Sequence, residues 1–474
     1  MSRVPSSLIC AGCGARAPDD DPFPFRCPNA DGDDVDHVLA RVLDPTRLSW
    51  PKGDETNPFV RYRELLRSYH LARERGVSDA EYVALVERLD KEVAAVDGHG
   101  FEETPFGRSP SLSEHLGFGP NGGVWVKDET ENVSGSHKAR HLMGLLVHLR
   151  VMEETGRSGD DQSKRDLAIA SCGNAALAAA VVARAGGRRL RVFVPPSADP
   201  VVVRRLEALG SKVEVTPRRA GVRGDPTYHA LRSALSAGAL PFTCQGNENG
   251  LAIEGGETLG YEMVTQLGRT PLALDRVFVQ VGGGALASAV IAAFMEAFAF
   301  GAIDWLPRFQ AVQTAGGYPL KRAHDLLAGR VLARIADGPG ERPGALKDEA
   351  GRAEFIWERV GTPAVAEELA YAAHHHSEFM WPWEQEPVSV AHGILDDETY
   401  DWLAVVRGMF ATGGYPVVVD EDALRRANEV GRVATGIDAD HTGTSGLAGL
   451  MELRDRGDVG PDERVAVLFT GVRR

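Results

Sequence analysis

The sequence predicts an α/β protein with mostly parallel sheets. From about 122 to 315, short apolar segments typical of strands alternate with amphipathic helical patterns, which favours a parallel sheet covered by helices. Three loops rich in Gly, Ser or Asn follow strand-like segments, at 134–140, 171–177 and 281–290. Because α/β sheets bind ligands at the loops leaving the carboxyl ends of their strands, we expect the chemistry in these loops.

The elements can be assigned in chain order from apolar periodicity and capping residues. The predicted strands lie at 123–128, 167–171, 190–195, 212–216, 240–246, 276–281, 308–312 and 464–471. The predicted helices lie at 174–185, 200–209, 226–237, 250–267, 285–299, 421–435 and about 444–455. Residues 46–100 carry charged helical patterns, in which Ser78 and Glu81 form a capping box. Residues 316–400 are predicted to be less regular, with a Gly- and Pro-rich segment at 337–344.

Composition narrows the class of protein. A chain of 474 residues is too long for one ordinary core, so we expect two or more structural units. The net charge of −15 argues against nucleic-acid and anionic-membrane partners. The longest apolar runs are too short for a membrane span, no signal-peptide core opens the sequence, and five cysteines make no disulfide scaffold. These features predict a cytoplasmic protein.

The first loop places Lys138 in the run SGSHKARH (134–141), at the start of a long helical pattern. The helix dipole disfavours a cation at that end, so the lysine needs either open solvent or a specific role. In the second loop, Ser171, Gly173 and Asn174 lie where a strand gives way to a helix start. Free backbone N–H groups there suit a carboxylate, and an Asn-capped turn is the structural alternative. Taken alone, the first loop is best explained as a turn with a solvated lysine, and the second as a turn capped by Asn174.

The third loop, VGGGALASAV (281–290), lets the backbone curl around a phosphate ahead of a helix N-terminus. Gly282, Gly284 and Ala287 also satisfy the dinucleotide pattern G-x-G-x-x-A, and Asp304 lies at a suitable distance downstream. A nicotinamide-dependent oxidoreductase is therefore a competing hypothesis. It leaves the other two loops unexplained, whereas a lysine, an anion loop and a phosphate loop together indicate pyridoxal phosphate (PLP), an aldehyde that forms an imine with an amine.

These motifs resemble those of the fold-type II PLP enzymes, the tryptophan synthase β superfamily that includes threonine synthase and threonine dehydratase. VKDETENVSGSHKAR (126–140) resembles the signature K-x-E…N-x-[ST]-G-S-[FH]-K-x-R, and TPFGRSPSL (104–112) is similar to the T-P-L segment ahead of it. SCGNAA resembles the loop [ST]-S-G-N-[HT]-[AG], and VGGGAL resembles the phosphate loop. The motifs keep the family's order over roughly 100–320, and RVAVLFTG (464–471) resembles the last strand of threonine synthases.

The resemblance implies two three-layer αβα domains with the cofactor between them and Lys138 as the Schiff-base lysine. The implied cofactor-binding residues are Lys138, His137, Asn174, Gly282, Gly283, Gly284, Ala285, Leu286 and Thr470. The implied substrate-binding residues are Ser134, Ser171, Cys172, Gly173, Asn174 and Ala175. Cys172 stands where the family usually has Ser, and Ala175 replaces the usual His or Thr.

The implied domains are an N-terminal ribbon-like segment at 1–45, a large PLP-binding domain at 46–140 and 245–474, and a small substrate domain at 141–244. A homodimer is expected. Cys10, Cys13 and Cys27 resemble the zinc-ribbon-like start of some threonine synthases. The fourth cysteine is missing, so His37 or an Asp would have to complete a structural zinc site, and the alternative is a ribbon held by packing alone.

The resulting hypothesis is a PLP-dependent lyase or synthase that acts on an amino acid by elimination or replacement at Cβ or Cγ. Thr470 and the N-terminal cysteines favour a threonine synthase-like subtype, converting O-phosphohomoserine to threonine, whereas His137 is the tryptophan synthase-like residue. A threonine or serine ammonia-lyase, another β-replacement synthase and a non-catalytic PLP-binding protein remain alternatives. The segment SVAHGILDDETYDW (389–402) matches no motif.

Overall fold

The computed structural model describes residues 4–159, 165–218, 224–269, 272–336 and 348–474. The strands are β1 (Ser6–Cys10), β2 (Leu39–Leu43), β3 (Phe106–Ser109), β4 (Gly123–Asp128), β5 (Leu167–Ala170), β6 (Leu190–Val194), β7 (Lys212–Val215), β8 (Leu240–Pro241), β9 (Arg276–Gln280), β10 (Arg308–Thr314), β11 (Pro416–Val419) and β12 (Arg464–Phe469). The predicted loop 337–344 lies outside the described residues.

The helices connect and cover these strands, and the capping box predicted at Ser78 is confirmed at the start of α3. They are α1 (Pro58–Arg61), α2 (Arg67–Glu74), α3 (Asp79–Asp97), α4 (Pro110–His115), α5 (Lys138–Glu154), α6 (Asn174–Ala185), α7 (Pro200–Ala208), α8 (Pro226–Ser236), α9 (Ala252–Gly268), α10 (Ala285–Ala299), α11 (Pro319–Ala336), α12 (Glu349–Trp357), α13 (Pro363–His374), α14 (His376–Phe379), α15 (Trp402–Thr412), α16 (Glu421–Thr435) and α17 (Ser445–Asp455). None of the helices described here is long and apolar enough to cross a membrane.

Three sheets organise the chain. The largest has six strands in the order β11-β10-β9-β12-β4-β3, all parallel except β3, which pairs antiparallel to β4. The second has four parallel strands in the order β7-β6-β5-β8. The third is an antiparallel pair, β1-β2, at the N-terminal end. The predicted α/β class with mostly parallel sheets is therefore confirmed.

Strand β12 shows how helices on both faces bury the large sheet. Ala466 and Leu468 pack into the core formed with residues of α9, α10 and α15, while Val465, Val467 and Phe469 pack into the core formed with residues of α16 and α17. All five side chains are fully buried. This alternation is expected for an inner strand between two helical layers.

Two sequence predictions were wrong. The strand predicted at 240–246 extends only over Leu240–Pro241, because β8 is an edge strand, Pro241 has no N–H to donate, and the chain turns at Gln245 toward α9. The stretch 316–400 contains three long or medium helices, α11, α12 and α13. Their charged and small residues, such as Gly329 within α11, obscured the apolar periodicity on which the prediction depended.

Candidate functional site

Three loops meet at the carboxyl edge of the large sheet. Strands β4, β12 and β9 are parallel neighbours, so the loops that follow them emerge side by side. The loop after β4 leads to Lys138, the loop after β12 begins with Thr470 and Gly471, and the loop after β9 contains Gly282–Gly284. A β-bridge between Ser136 and Gly471 joins the first two loops directly. The topology thus assembles residues that are up to 333 positions apart in the chain.

Thr470 and His137 are held together by hydrogen bonds. His137 Nδ1 donates to the carbonyl oxygen of Thr470 over 3.2 Å, and the Thr470 hydroxyl accepts from Gln280 Nε2 over 2.6 Å. Because that hydroxyl already accepts, its own proton is free to be donated to a ligand. Burial and the charges of Lys138 and His141 hold the pKa of His137 well below its ordinary value, so its ring is neutral.

Lys138 is the first residue of α5, and its surroundings contain unused polar atoms. The turn before it includes Ser134, whose φ of 55° is left-handed and whose N–H donates to Asp97 Oδ2 over 2.7 Å. Within the described ranges, the buried atoms Ser134 Oγ, Ser136 Oγ and His137 Nε2 have no hydrogen-bond partner. Because buried polar atoms are normally satisfied, this group of atoms is suited to a ligand.

The second sheet contributes the loop 171–174, which follows β5 and opens α6. Asn174 is the first residue of that helix, and its Oδ1 accepts a hydrogen bond from Arg474. Arg474 also donates to the carbonyl oxygen of Ser134, so it links this loop to the lysine loop. No sequence motif pointed to Arg474.

Cys172 lies in the same loop, and its side chain is accessible. Desolvation and the charges of Asp225 and Asp396 raise the pKa of its thiol. A raised pKa keeps the thiol protonated at neutral pH, which argues against an activated nucleophile.

The glycine loop after β9 has no room for side chains. A Cβ on Gly282 would lie 2.3 Å from Asp396 Oδ2 and 2.8 Å from the Cα of Ile394, and Gly284 has a left-handed φ of 98°. Thr399 Oγ1 donates to the carbonyl oxygen of Gly282 over 2.9 Å. The N–H groups of the first turn of α10 have no partner within the helix, so they are available to a phosphate.

The unassigned segment 394–401 covers this glycine loop. Besides the bond from Thr399, the N–H of Asp401 donates to the carbonyl oxygen of Gly283 over 3.0 Å. Sequence reasoning missed Asp396 and Asp401 because this segment contacts a motif that lies 117 residues away in the chain. The feature of the sequence that could have pointed to these two residues is the acidic run DDETYD at 396–401, which lies in a segment that matched no motif.

The predicted metal ligands also come together. The ligand atoms of Cys10, Cys13, Cys27 and His37 all lie within 4.8 Å of one another. His37 presents Nδ1 to the sulfur of Cys10 at 3.5 Å, while its Nε2 lies 2.9 Å from Asp33 Oδ1. A carboxylate on the far nitrogen is the usual way to orient a metal-binding imidazole.

The geometry argues against the dinucleotide hypothesis. A ribose-binding carboxylate is expected at the carboxyl end of the strand that follows the glycine-rich helix. Asp304 instead precedes β10, near the amino end of that strand, and its side chain is exposed. It therefore lies at the opposite edge of the sheet from Gly282–Gly284 and cannot act together with the glycine loop.

Comparisons with known proteins agree with the geometry. Residues 99–360 match the family described as pyridoxal-phosphate dependent enzyme. A threonine synthase of Methanosarcina acetivorans is 24% identical over 375 residues, which cover 78% of this chain and 74% of that protein. A serine dehydratase-like protein of Rattus norvegicus is 31% identical over 234 residues, which cover 48% of this chain and 61% of that protein.

Solved structures with the same fold include a threonine deaminase and a diaminopropionate ammonia lyase. The processed form of threonine deaminase isoform 2 from Solanum lycopersicum has a TM-score of 0.55 at 15% identity, over 84% of this chain and 91% of that one. A diaminopropionate ammonia lyase from Escherichia coli has a TM-score of 0.55 at 15% identity, over 82% of this chain and 88% of that one. At these identities the likeness concerns the fold alone.

Proposed function

The chain belongs to the pyridoxal-phosphate dependent enzymes, of the tryptophan synthase β-like type, and from that premise we propose that it catalyses elimination or replacement at Cβ or Cγ of an amino acid. The observation that carries this proposal is the meeting of Lys138, Thr470 and Gly282–Gly284 at the ends of three neighbouring strands. Lys138 would hold the cofactor and then move the substrate's Cα proton. We propose a threonine synthase-like reaction as the leading subtype.

The residues of the site fit PLP. The phosphate would be bound by backbone N–H groups of Gly282, Gly283 and Gly284 and of Ala285 and Leu286 at the start of α10. A side chain on Gly282 would collide with its neighbours, so glycine is required at that position. The unpartnered atoms beside Lys138 are available to the ring and its substituents. When bound, PLP supplies an electron sink for negative charge that develops at Cα.

Thr470 favours elimination and replacement over transamination. Its hydroxyl accepts from Gln280, so it can donate its proton to a pyridine nitrogen that carries none. A neutral hydroxyl does not stabilise a protonated pyridine, whereas a carboxylate would. The cofactor ring would then withdraw negative charge from Cα less strongly. The charge would stay available at Cα to expel a leaving group, as elimination and replacement require.

The loop 171–175 would bind the substrate carboxylate. Ser171, Gly173 and Asn174 surround the N-terminus of α6, whose positive end and free N–H groups attract an anion. Arg474 and Asn174 fix this loop against the turn before α5. The α-carbon of an amino acid held there would face the lysine loop, and the Lys138 amine would take the proton from it.

Substrate titration tests the proposed function. The purified holoenzyme is expected to absorb visible light, and a substrate is expected to shift that spectrum and give product. The panel includes O-phosphohomoserine, L-serine and L-threonine. Turnover of serine or threonine to a keto acid and ammonia would favour the ammonia-lyase alternative, which the match to the serine dehydratase-like protein supports. Bound PLP without turnover of any amino acid would contradict the proposed catalytic function.

Gly282→Ala is expected to weaken PLP binding roughly 10-fold, because the added methyl group overlaps Asp396 and the backbone at Ile394. The measurement is a titration of the apoprotein with PLP, read by absorbance. Gly329→Ala is the control, since a Cβ there meets no atom within 4 Å. Equal PLP affinity in the Gly282→Ala variant and the native protein would remove the glycine loop from the cofactor site.

We further propose that Cys10, Cys13, Cys27 and His37 bind a structural zinc ion. Cys13→Ser is expected to lower the zinc content from about one ion per chain and to reduce the melting temperature. The measurements are elemental analysis and thermal unfolding, and Cys172→Ser, which lies outside the cluster, is the control. The proposal would be contradicted if native protein from zinc-replete cultures contained no metal and if Cys13→Ser had the same melting temperature as the native protein.

The division into segments 1–45, 46–140 with 245–474, and 141–244 is retained as a proposal, as are a homodimer and a cytoplasmic location. The four-stranded sheet lies wholly within 141–244, which supports that boundary. Sedimentation analysis of the holoenzyme would decide the oligomeric state.

A further inference from the structure

A cavity of about 310 Å³ lies between the N-terminal segment and the four-stranded sheet. Phe23, Phe25 and Arg26 form one wall, and residues of α8, of β8 and of the turn that leads to α9 form the other. Among the described residues, those that line it belong to none of the loops proposed to bind PLP or the substrate carboxylate. A cavity of this size can hold a small molecule. It is therefore a candidate for a second ligand site.

Much of the lining is apolar. The rings of Phe23 and Phe25 form a tilted pair with centroids 5.8 Å apart, and Leu235 of α8 and Pro241 of β8 also line the cavity. Because apolar surface gains free energy when it leaves water, this lining suits a branched or aromatic hydrocarbon group.

Two arginines and one buried glutamate supply the charge. Glu248 is 1% exposed, and its carboxylate lies 3.7 Å from Arg26 Nε and 3.5 Å from Arg232 Nε. Its Oε1 accepts from the Tyr228 hydroxyl over 2.6 Å, whereas its Oε2 has no hydrogen-bond partner in the described part of the chain. The arginines thus lie at ion-pair distances from Glu248, without a hydrogen bond to it.

The charge of the cavity favours an anion. Two guanidinium groups against one carboxylate leave an excess of one positive charge, and Arg165 lies 5.7 Å from the ring centroid of Phe23. The side chains of Arg26 and Arg232 are 44% and 51% exposed, so both can turn toward a ligand. A ligand carboxylate would accept charge-assisted hydrogen bonds from them. An ammonium group would be repelled by the arginines, and the carboxylate that could bind it is buried.

Side-chain contacts connect this cavity to the glycine loop. The ring of Tyr228, whose hydroxyl binds Glu248, lies 5.6 Å from the ring of Tyr400, centroid to centroid. Cδ2 of Tyr400 lies 2.9 Å from the position that a Cβ on Gly283 would take. Two tyrosine side chains therefore separate Glu248 from the loop proposed to bind the cofactor phosphate.

The main chain provides a second connection. Gly246, two residues before Glu248, packs directly against the carboxylate of Asp401. The N–H of Asp401 donates to the carbonyl oxygen of Gly283 over 3.0 Å. A ligand that changes the surroundings of Glu248 can therefore act on the glycine loop through short, packed contacts.

We propose that this cavity binds a small monocarboxylic acid with a branched or aromatic apolar body, and that the bound acid strengthens the binding of PLP. The ligand carboxylate would share the positive charge of Arg26 and Arg232, so Glu248 would accept a stronger hydrogen bond from Tyr228. That bond would hold Tyr228 against Tyr400, and Tyr400 against the glycine loop. Binding of the acid does not depend on the proposed reaction, whereas its effect on PLP rests on the proposed cofactor site.

The test is a calorimetric titration of the holoenzyme with 4-methylpentanoate, 4-methylpentanamide and acetate. None of the three has an amine that could react with the cofactor; the amide lacks the charge, and acetate lacks the apolar body. The expected Kd of 4-methylpentanoate is at least about 10-fold lower than that of either other compound. Equal binding of the acid and its amide, or no measurable binding of the acid, would overturn the proposal.

Arginine variants locate the bound acid. Arg26→Met and Arg232→Met are each expected to raise the Kd of 4-methylpentanoate about 10-fold. Arg189→Met is the matched control, because this exposed arginine lies outside the cavity lining, and its Kd is expected to equal the native value. An unchanged Kd in both cavity variants would place the acid at another site and would refute the assignment.

Glu248→Gln is expected to have the opposite effect. The amide oxygen can still accept from Tyr228, but both arginines lose their competing anion, so the Kd of 4-methylpentanoate is expected to fall about 3-fold or more. A site selected by apolar contacts alone would not respond. A Kd that stays the same or rises, in a variant with the native melting temperature, would contradict the role given to the arginines.

The effect on the cofactor is measured by repeating the titration on protein stripped of PLP. Because coupling between two sites is reciprocal, the holoenzyme is expected to bind 4-methylpentanoate about 5-fold more tightly than the stripped protein. Tyr228→Phe removes the hydroxyl that binds Glu248 and is expected to abolish this difference while the acid still binds. Equal Kd values in the native holoenzyme and the native stripped protein would refute the effect on PLP.

Failure of this inference can be told apart from failure of the proposed function. A holoenzyme that turns over an amino acid but does not bind 4-methylpentanoate refutes only the cavity site. A holoenzyme that binds the acid but turns over no amino acid refutes only the proposed function. Melting temperatures of all variants show whether they are folded.

Discussion

Replacing Lys138 with Ala is expected to lower kcat by at least about 10³-fold, because one side chain supplies both the amine that holds the cofactor and the base that moves the Cα proton. Thr470, the glycine loop and the carboxylate loop would stay in place, so PLP is expected to bind without a covalent link. The measurement is turnover of the best substrate, with the visible spectrum recorded in parallel.

Lys212→Ala provides a matched control. Lys212 lies on β7, its side chain is 71% exposed, and its ion pair is with Glu214, on a different sheet from the glycine loop. Its turnover is expected to stay within about twofold of the native value, since exposed ion pairs contribute little. Native turnover and an unchanged visible spectrum in Lys138→Ala would show that another residue performs the chemistry.

The second large effect concerns stability. Arg140 is fully buried and is held by Glu129 at 2.8 Å and by Glu262 at 2.7 Å, while Lys127 binds Glu262 at 2.6 Å. Arg140→Met would leave Glu129 as a buried carboxylate without its cation. The expected loss is about 3–5 kcal/mol in the free energy of unfolding, measured by denaturant titration.

The matched control is Arg189→Met, which removes an exposed ion pair with Asp166 and is expected to cost under about 1 kcal/mol. If Arg140→Met also lowered the free energy of unfolding by less than about 1 kcal/mol, the buried ion-pair network would not have the stabilising role assigned to it.

The same network makes stability depend on pH. Burial alone would raise the pKa of Glu262, but the charges of Arg140 and Lys127 outweigh it and hold the pKa below its ordinary value. The folded state then binds the proton less readily than the unfolded state. The stabilisation is therefore present above the ordinary pKa of a glutamate and is lost as pH falls through the lowered one. Denaturant titrations at a series of acidic pH values measure this loss, and a flat profile there would contradict it.

The sequence predicted those parts of the candidate site that local patterns encode. Lys138, Asn174 and Gly282–Gly284 each follow a strand that its apolar pattern reveals, and a parallel sheet brings such loops to one edge. Thr470 was predicted from the resemblance of the last strand to that of threonine synthases. The grouping of Cys10, Cys13 and Cys27 was predicted from their spacing and from the resemblance to a zinc-ribbon-like start, and His37 was named as a candidate for the fourth ligand. Zinc binding by this group stays a prediction.

The remaining features depend on long-range packing, which local patterns do not encode. Asp396 contacts the glycine loop, but nothing near it in the chain resembles a motif. Arg474 reaches Asn174 across 300 positions of sequence. The short strand β11 lies next to β10 in the sheet although α11 to α15 separate them, so its pairing could not be read from PVVV alone. In each case the partner is set by the topology.

The most direct test of the cofactor assignment is borohydride reduction of the holoenzyme, followed by digestion and mass spectrometry. The expected result is the mass of reduced PLP on the peptide that contains Lys138. Reduced PLP on a different lysine, or bound PLP that reduction fails to attach to the protein, would contradict the proposal that Lys138 holds the cofactor.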